Sequence, residues 1–462
     1  MPISSARTAA FDILLRVDRE NAYASELLHS ERLAALKTAD RALATELVMG
    51  VLRWRSRLDD VIAKSSARPL DKLDAEVLIA LRLGAYQSLY LSRIPPHAAI
   101  NDSVELVKRA HKRSAAAFVN AVLRKLGATD FESAAPDEWT ATTLASEFAH
   151  PHWLVERWVA EYDIERTHQI CRHDQGVPPT AVRLDEETLE SELKADGIEL
   201  APGELVAGAR IVVAGDITRT RAFEQGRVFI QDEASQLVAL LVGTGSRLLD
   251  CCAAPGGKTA ALAARNPEAQ IVAAELHPHR AELLRRRVRS ANVQVIQTDA
   301  LELPPGEFDR VLADVPCSGT GTLARHPEVK WRLKPEDLAD LHQRQVAILT
   351  AALHQLAPGG RAVYSTCSLE REECEAVIAE VLREATGFQL LDCRPELERL
   401  RQEGELAWAD LDSLLSGKFL RTIPGVHPCD GFFAAVLENR ESLQTDRYHL
   451  PVRDSRSDTS PS

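Results

Sequence analysis

The first part of the chain alternates apolar and polar residues with a helical period. Leu43, Leu47 and Val51 recur every four residues, with Val48 and Leu52 beside them, which draws an apolar stripe along one helix. Residues 71–91 place Val77, Leu78, Leu81, Ala85 and Leu89 on one side, and Pro95 and Pro96 break that helix. Helices over 98–112 and 115–126 follow, and Gly127 stops the last. No strand period occurs here, so the pattern predicts an all-α bundle over residues 1–130.

Residues 131–235 mix two signals. Helical pieces fall near 139–160 and 189–197, and short β-like runs near 180–184 and 209–214, which predicts a small α/β connecting domain. After Gln236 strands and helices alternate. Strands are expected over 247–252, 270–275, 293–298, 308–315 and 361–366, and helices over 258–264, 280–288 and 338–356. Short apolar runs of this kind are buried parallel strands, so residues 236–440 read as a doubly wound, Rossmann-like α/β domain. A late strand is expected over 431–437, and the polar tail 441–462 reads as disordered.

The length of 462 residues fits two or three domains. The net charge of −13 argues against a protein that coats nucleic acid non-specifically, but a local basic face would suffice for an RNA enzyme. Two basic clusters exist: Lys108, Arg109, His111, Lys112, Arg113, and Arg280, Arg285, Arg286, Arg287, Arg289. Each reads equally as a solvated helix face or as an RNA contact. Residues 1–20 are interrupted by Arg7, Asp12, Arg16 and Asp18, so they lack the apolar core of a signal peptide. No run is long enough to span a bilayer, so no membrane partner is expected. The eight cysteines then point to a reducing cytoplasm, and no Cys-x-x-Cys or His-x-x-x-His spacing suggests a metal. We expect a monomer.

Residues 248–259 run from strand through a Gly-rich loop into a helix, where glycines admit a ligand close to the backbone and the helix N-terminus offers free N–H groups. The next strand ends at Glu275, suited to ribose hydroxyls, and the third is followed by Asp299, suited to an adenine edge. Gly256-Gly257-Lys258-Thr259 resembles a phosphate-binding loop, but that motif needs glycine where Cys252 stands. Gly-x-Gly-x-x-Gly is absent, which disfavours nicotinamide. S-adenosylmethionine remains the obvious ligand; the bland alternative is a tight strand–helix turn.

Asp314-Val315-Pro316-Cys317 and Ser365-Thr366-Cys367-Ser368 both follow strands, where doubly wound folds place their chemistry. A thiolate there is a strong nucleophile, and Lys258 and helix termini could activate it. Cys171, Cys251, Cys374, Cys393 and Cys429 read as small buried apolar residues, and Cys251 and Cys252 should face opposite ways.

These residues resemble the RNA cytosine-C5 methyltransferase superfamily, and the whole chain from about residue 6 to 438 resembles its bacterial RsmB/Sun branch. The specific pieces are residues 250–259, 314–321, 325–331, 364–369 and 430–433. Leu83-Gly84-Ala85-Tyr86-Gln87, Ile94-Pro95-Pro96-His97-Ala98 and residues 118–124 resemble the NusB RNA-binding domain. The resemblance implies S-adenosylmethionine as cofactor and RNA, specifically 16S ribosomal RNA, as partner, with no role for DNA. It implies that Cys252, Ala253, Ala254, Pro255, Gly256, Gly257 and Lys258 hold the methionine end of the cofactor, Glu275 the ribose and Asp299 the adenine. Asp314 would sit by both cofactor and base, Cys367 would be the nucleophile, and Cys317 would help release product. The thiolate would add to carbon 6 so that carbon 5 can attack a methyl group, with a proton shared at N3 by a carboxyl such as Asp314, its pKa raised by burial. The target base must be unstacked.

The family usually has Asp at the position of Glu275, and Asn at the position of Cys374, which bears on how the helix after Cys367 is anchored. Two rival readings remain open: the same reaction on transfer RNA or another RNA, and a non-catalytic RNA-binding factor. The intact cysteine pair disfavours the second.

Overall fold

The computed structural model describes residues 3–127, 138–184, 186, 188–303 and 305–440. The polar tail and the expected boundary at 130/131 lie outside them.

The N-terminal unit is all-helical. Ser4 caps the helix Ser5–Glu20 by accepting from Arg7 N–H. Helices Thr38–Arg53, Ala75–Tyr90, Pro96–Arg109 and Ala116–Gly127 complete the main packing. Close approach explains two glycines. A Cβ on Gly84 would lie 2.5 Å from Leu123 Cδ1 and 2.7 Å from Ser103 Oγ, so three helices meet where only glycine fits. A Cβ on Gly50 would meet the Tyr86 ring at 1.9 Å. The expected helix over 71–91 divides into a 3-10 turn, Leu70–Lys72, and a helix from Ala75. Pro96 does more than break a helix. It opens the next one at the position where its missing N–H has no role.

The single helix expected over 139–160 is two helices, Ala141–Glu147 and His152–Asp174, because Pro151 cannot continue the first and stands at the N-cap of the second. Strands β1 (Thr180–Leu184), β2 (Glu199–Pro202), β3 (Ala209–Ala214) and β4 (Val228–Ile230) form an antiparallel sheet in the order β2-β3-β1-β4. The helix Glu233–Val242 then packs against the large sheet.

That sheet contains β5 (Arg247–Asp250), β6 (Gln270–Glu275), β7 (Val293–Gln297), β8 (Phe308–Asp314), β9 (Leu356–Thr366), β10 (Phe388–Leu391), β11 (Leu415–Ser416), β12 (Phe419–Thr422) and β13 (Phe432–Asn439). Its order is β11-β12-β13-β9-β8-β5-β6-β7, with β10 also paired to β13. Strands β5 to β9 run parallel, as the apolar runs predict. The other half is antiparallel, a mixed-sheet extension that the pattern of parallel strands did not announce. The order reverses between β5 and β8, so the crevice beyond their C-terminal ends is the natural ligand site. Among the described residues no helix is long and apolar enough to cross a membrane.

The segment 324–332 fastens the helical unit to this sheet. Arg53 Nη2 donates to Ala324 O at 3.0 Å, Trp331 Nε1 to Leu52 O at 2.6 Å, and Ala24 N to Glu328 Oε1 at 2.9 Å. Arg332 donates to Val17 O, Asn21 O and Ala22 O at 2.9, 2.9 and 2.6 Å. A guanidinium thus closes the C-terminal end of the first helix, where carbonyls are unpaired and the dipole is negative. Arg332→Ala is expected to lower the unfolding free energy by about 1–3 kcal/mol, since it leaves those carbonyls without a donor. Chemical denaturation checks this, and an unchanged midpoint would refute it.

Candidate active site

Strands β8 and β9 are parallel neighbours in register, with Asp314 beside Ser365. Each strand ends just before a cysteine-bearing turn. Residues fifty apart in sequence therefore meet, and Cys317 Sγ lies 3.2 Å from Cys367 Sγ. The other expected buried cysteines, 171, 251, 374, 393 and 429, are all buried. Cys251 is buried in the core while Cys252 lines the cleft, so the adjacent pair does separate.

Cys367 opens into a cleft of about 770 Å³ with Asp250, Cys252, Ala253, Ala254, Pro255, Gly257, Lys258 and Asp314 on its wall. Gly256, Glu275, Asp299 and Cys317 lie outside that lining. Cys317 borders a second depression with Tyr23, Arg332 and Arg344. Glu275 closes β6, buried, and its Oε1 accepts from His277 N at 2.9 Å. Asp299 follows β7 and accepts from Leu301 N at 3.0 Å. The parallel pairing of β5, β6 and β7 puts both acids at the same sheet end as the loop.

Lys258 Nζ donates to Asp314 Oδ2 at 2.8 Å and lies 5.0 Å from the centre of the Phe432 ring. Ser365 Oγ donates to Asp314 Oδ1 at 2.7 Å. Both carboxylate oxygens of Asp314 are thus engaged. Gly256, with φ of +107°, lets the loop turn into the helix Gly257–Arg265; a Cβ there would meet Val288 Cγ2 at 2.8 Å.

Asp250 sits beneath the loop and accepts from Thr259 Oγ1 at 2.7 Å. Burial pushes its carboxyl up to about 7, the Thr259 hydroxyl working against the rise. Among the described residues its Oδ1 has no donor, and neither has Oε1 of buried Gln231 on the same cleft wall. Two unsatisfied buried acceptors fit a ligand that carries N–H donors. Sequence reading passed over Gln231, which no motif marks. Arg325 bridges Asp232 (3.0 Å) and Asp430 (2.7 Å), and so joins the loop after β8 to the segments before β13 and after β4.

The cysteine pair is held from below by Glu373, fully buried and also missed from sequence. Its Oε1 accepts from Ser318 N and Gln345 Nε2, both at 2.8 Å, and its Oε2 from Ser318 Oγ and, at 2.5 Å, Ser368 Oγ. Ser318 follows Cys317 and Ser368 follows Cys367, so one carboxylate positions both turns. Cys374, which replaces the family's usual Asn, is buried at the N-cap of the helix Glu375–Glu384 without a side-chain cap. Its Sγ donates to Ser368 O at 3.5 Å, and Glu373 supplies the anchoring beside it. The Cys317 thiol is pushed well above its ordinary pKa, first by its hydrogen bond to Cys367, then by burial and the charges of Cys367 and Glu373. Glu373→Ala is expected to lower the unfolding free energy by about 1–3 kcal/mol, and Glu373→Gln by less, since an amide oxygen still accepts from Ser318 N. Chemical denaturation ranks them; equal stability of both variants and the unaltered protein would remove Glu373 from this role.

The family model for the 16S rRNA methyltransferase RsmB/F matches residues 238–438, and that of the NusB family matches residues 4–128. A probable ribosomal RNA small subunit methyltransferase B of Bacillus subtilis is 32% identical over 456 residues, covering 95% of this chain and all of the relative. Ribosomal RNA small subunit methyltransferase B of Escherichia coli O157:H7 is 32% identical over 413 residues, covering 86% of this chain and 90% of that one. The crystal structure of PH0851 shares the fold, with a TM-score of 0.78 at 22% identity over 95% of this chain and all of that one. A methyltransferase homolog protein from Pyrococcus horikoshii superposes with a TM-score of 0.53 at 26% identity, over 65% of this chain and 98% of that one. The chain therefore belongs to the ribosomal RNA small subunit methyltransferase B family, S-adenosylmethionine-dependent methyltransferases with a NusB-type helical domain.

Proposed function

We propose that the protein methylates carbon 5 of a cytosine in 16S ribosomal RNA, with Cys367 as the covalent nucleophile. The observation that carries this reading is the pair of sulfurs 3.2 Å apart, one of them opening into the cleft. Exocyclic nitrogen chemistry has no use for two thiols. The names of the relatives support 16S ribosomal RNA as the target.

Residues 252–258 hold the methionine end of S-adenosylmethionine in this proposal, with Asp250 Oδ1 and Gln231 Oε1 accepting from its ammonium. Glu275 holds the ribose and Asp299 the adenine. The bound cofactor supplies an electrophilic methyl group. Carbon 5 of cytosine is too weak a nucleophile to take it unaided. The Cys367 thiolate forms a bond to carbon 6, N3 takes a proton, and carbon 5 becomes an enamine carbon. Lys258 and Asp314, 2.8 Å apart, hold that proton between them and return it. Once carbon 5 carries the methyl group, its hydrogen leaves as a proton. The freed electron pair re-forms the 5–6 double bond, and the carbon–sulfur bond breaks with its electrons returning to Cys367.

Cys317 suits the last step for an electrostatic reason. Its proton is held chiefly by the hydrogen bond to Cys367. In the adduct Cys367 is a neutral thioether, so that cause lapses, and Cys317 becomes easier to ionise when a base for the carbon 5 proton is required.

With methyl-labelled cofactor and unmodified 16S RNA, label is expected in 5-methylcytosine. Cys367→Ala should abolish it, and Cys317→Ala should accumulate a covalent protein–RNA adduct on a denaturing gel. Label on transfer RNA alone would move the substrate, and label retained in Cys367→Ala would sink the covalent route. Asp250 adds a pH dependence. With a carboxyl near 7 when unliganded, it must lose its proton to accept from an ammonium. Affinity for S-adenosylhomocysteine should therefore rise as pH increases up to about 7 and level off above it. Calorimetry on Asp250→Asn should give a flat profile; the same slope in both proteins would remove Asp250 from this role.

A further inference from the structure

The two basic clusters in the sequence have different fates. In the helical unit Lys108 pairs with Glu105 at 2.6 Å, Arg109 with Asp12 at 2.8 Å and Lys112 with Asp74 at 2.9 Å. Three of its five members are thus already answered by carboxylates. In the other cluster Arg285 and Arg286 share Glu282, and Arg280 faces Glu275. Arg287 differs: no carboxylate pairs with it among the described residues, and no neighbouring charge offsets its partial desolvation. It is also the member of either cluster that lines the cleft leading to Cys367. Arg289, beside it, donates to the carbonyls of Arg286 and Glu224, at 3.2 and 3.4 Å, and pairs with no carboxylate among the described residues.

The surroundings of Arg287 suit a nucleic acid strand. It ends the helix Pro278–Arg287, whose Leu284 packs with Phe229 of β4. A Cβ on Gly226 would lie 2.8 Å from Arg287 O, so the small sheet and the catalytic domain touch at this point. Phe223 and Ile230 share the cleft wall, Phe223 half-buried and Ile230 44% exposed, while Phe229 is buried beneath the Arg183 guanidinium. An unanswered guanidinium beside an apolar and aromatic wall is the pairing that single-stranded RNA needs, a cation for phosphate and a flat face for a base. The acids near the cysteines already have partners: Asp314 has Lys258, and Asp232 and Asp430 share Arg325. Of the arginines and lysines lining the cleft, Arg287 is therefore the one left without a carboxylate partner among the described residues.

We infer that Arg287, seconded by Arg289, grips a backbone phosphate of the RNA strand that enters the cleft between the small sheet and the catalytic domain. The neighbouring base then lies against Phe223 and Ile230. The inference rests on the RNA reading above and names the wall by which the strand arrives. Arg287 is a positioning residue, since it would hold the RNA backbone and not the reacting atoms.

The test is binding of a labelled single-stranded RNA oligonucleotide to the full chain across a salt series, followed by anisotropy. Arg287→Gln is expected to weaken binding roughly threefold to tenfold and to lower the slope of log affinity against log salt by about 0.7, one phosphate contact on a single strand. Arg287→Lys should restore most of the slope, and Lys112→Ala should leave affinity and slope unchanged. Affinity for S-adenosylhomocysteine should be the same in all of them, which separates a lost phosphate contact from a disturbed fold. An unchanged slope in Arg287→Gln, or an equal loss in Lys112→Ala, overturns the inference. If the unaltered protein methylates RNA while the slope is unmoved, this inference fails alone. If it binds RNA with the expected slopes and transfers no methyl group, the catalytic reading fails and the phosphate contact stands.

Discussion

Glu373 accepts hydrogen bonds from the residues that follow both cysteines, and the placement of the two sulfurs depends on that one buried carboxylate. Two turns leaving adjacent parallel strands would otherwise be free to splay. Gln345 Nε2 adds a third constraint, donating to Glu373 and also, at 2.9 Å, to Pro316 O just before Cys317. Backbone contacts reinforce it. Gly321 N donates to Cys367 O at 2.9 Å, and Gly431 N to Gly321 O at 2.8 Å. A Cβ on Gly321 would fall 2.1 Å from Gly431 O, so the two glycines let three segments cross at one point. A buried acceptor with four donors is favourable only while every donor is in place. The same arrangement that fixes the sulfurs therefore makes the turns intolerant of partial disorder.

The chemistry-bearing part of the chain was readable because its signals are local. β1, β3 and β6 run over the ranges their apolar patterns predict. The loop 252–258 and both cysteine turns follow strands, as their sequences require. What was not readable depends on contacts distant in sequence. Glu373 looks like one of many surface acids until Ser318, 55 residues away, closes over it. Gln231 is marked only by the absence of a partner. The antiparallel half of the large sheet contains β11 and β12, of two and four residues, too short for a period to register. Its longest member, β13, is buried on both faces and so reads like a parallel strand.

The helical unit is more than a tethered RNA-binding module. The segment 324–332 that fastens it also carries Arg325 and His326 into the catalytic cleft. Ser25 and His29 of the helical unit line that cleft too, and Ser25 Oγ lies 3.5 Å from His326 Nδ1. Behind this seam lies Lys330, fully buried without a hydrogen-bond partner and pushed down to about 7 by burial, with the Asp174 charge opposing. The helical unit thus forms one wall of the cleft while the small sheet forms another.

Walls drawn from separate parts of the chain suit the reaction proposed above. A thiolate adds to carbon 6 only if the unstacked base is presented at one angle, and unstacking must be offset by contacts that exist before the adduct forms. Those contacts have to come from different parts of the chain, because the sulfurs occupy the centre of the site. The helical unit supplies Ser25 and His29, β4 supplies Ile230 and the turn before it Phe223, and Arg287 stands where that turn meets the methyltransferase domain. If Arg287 holds a phosphate as inferred above, a strand bounded on its other side by the helical unit would present its base to the cleft into which Cys367 opens.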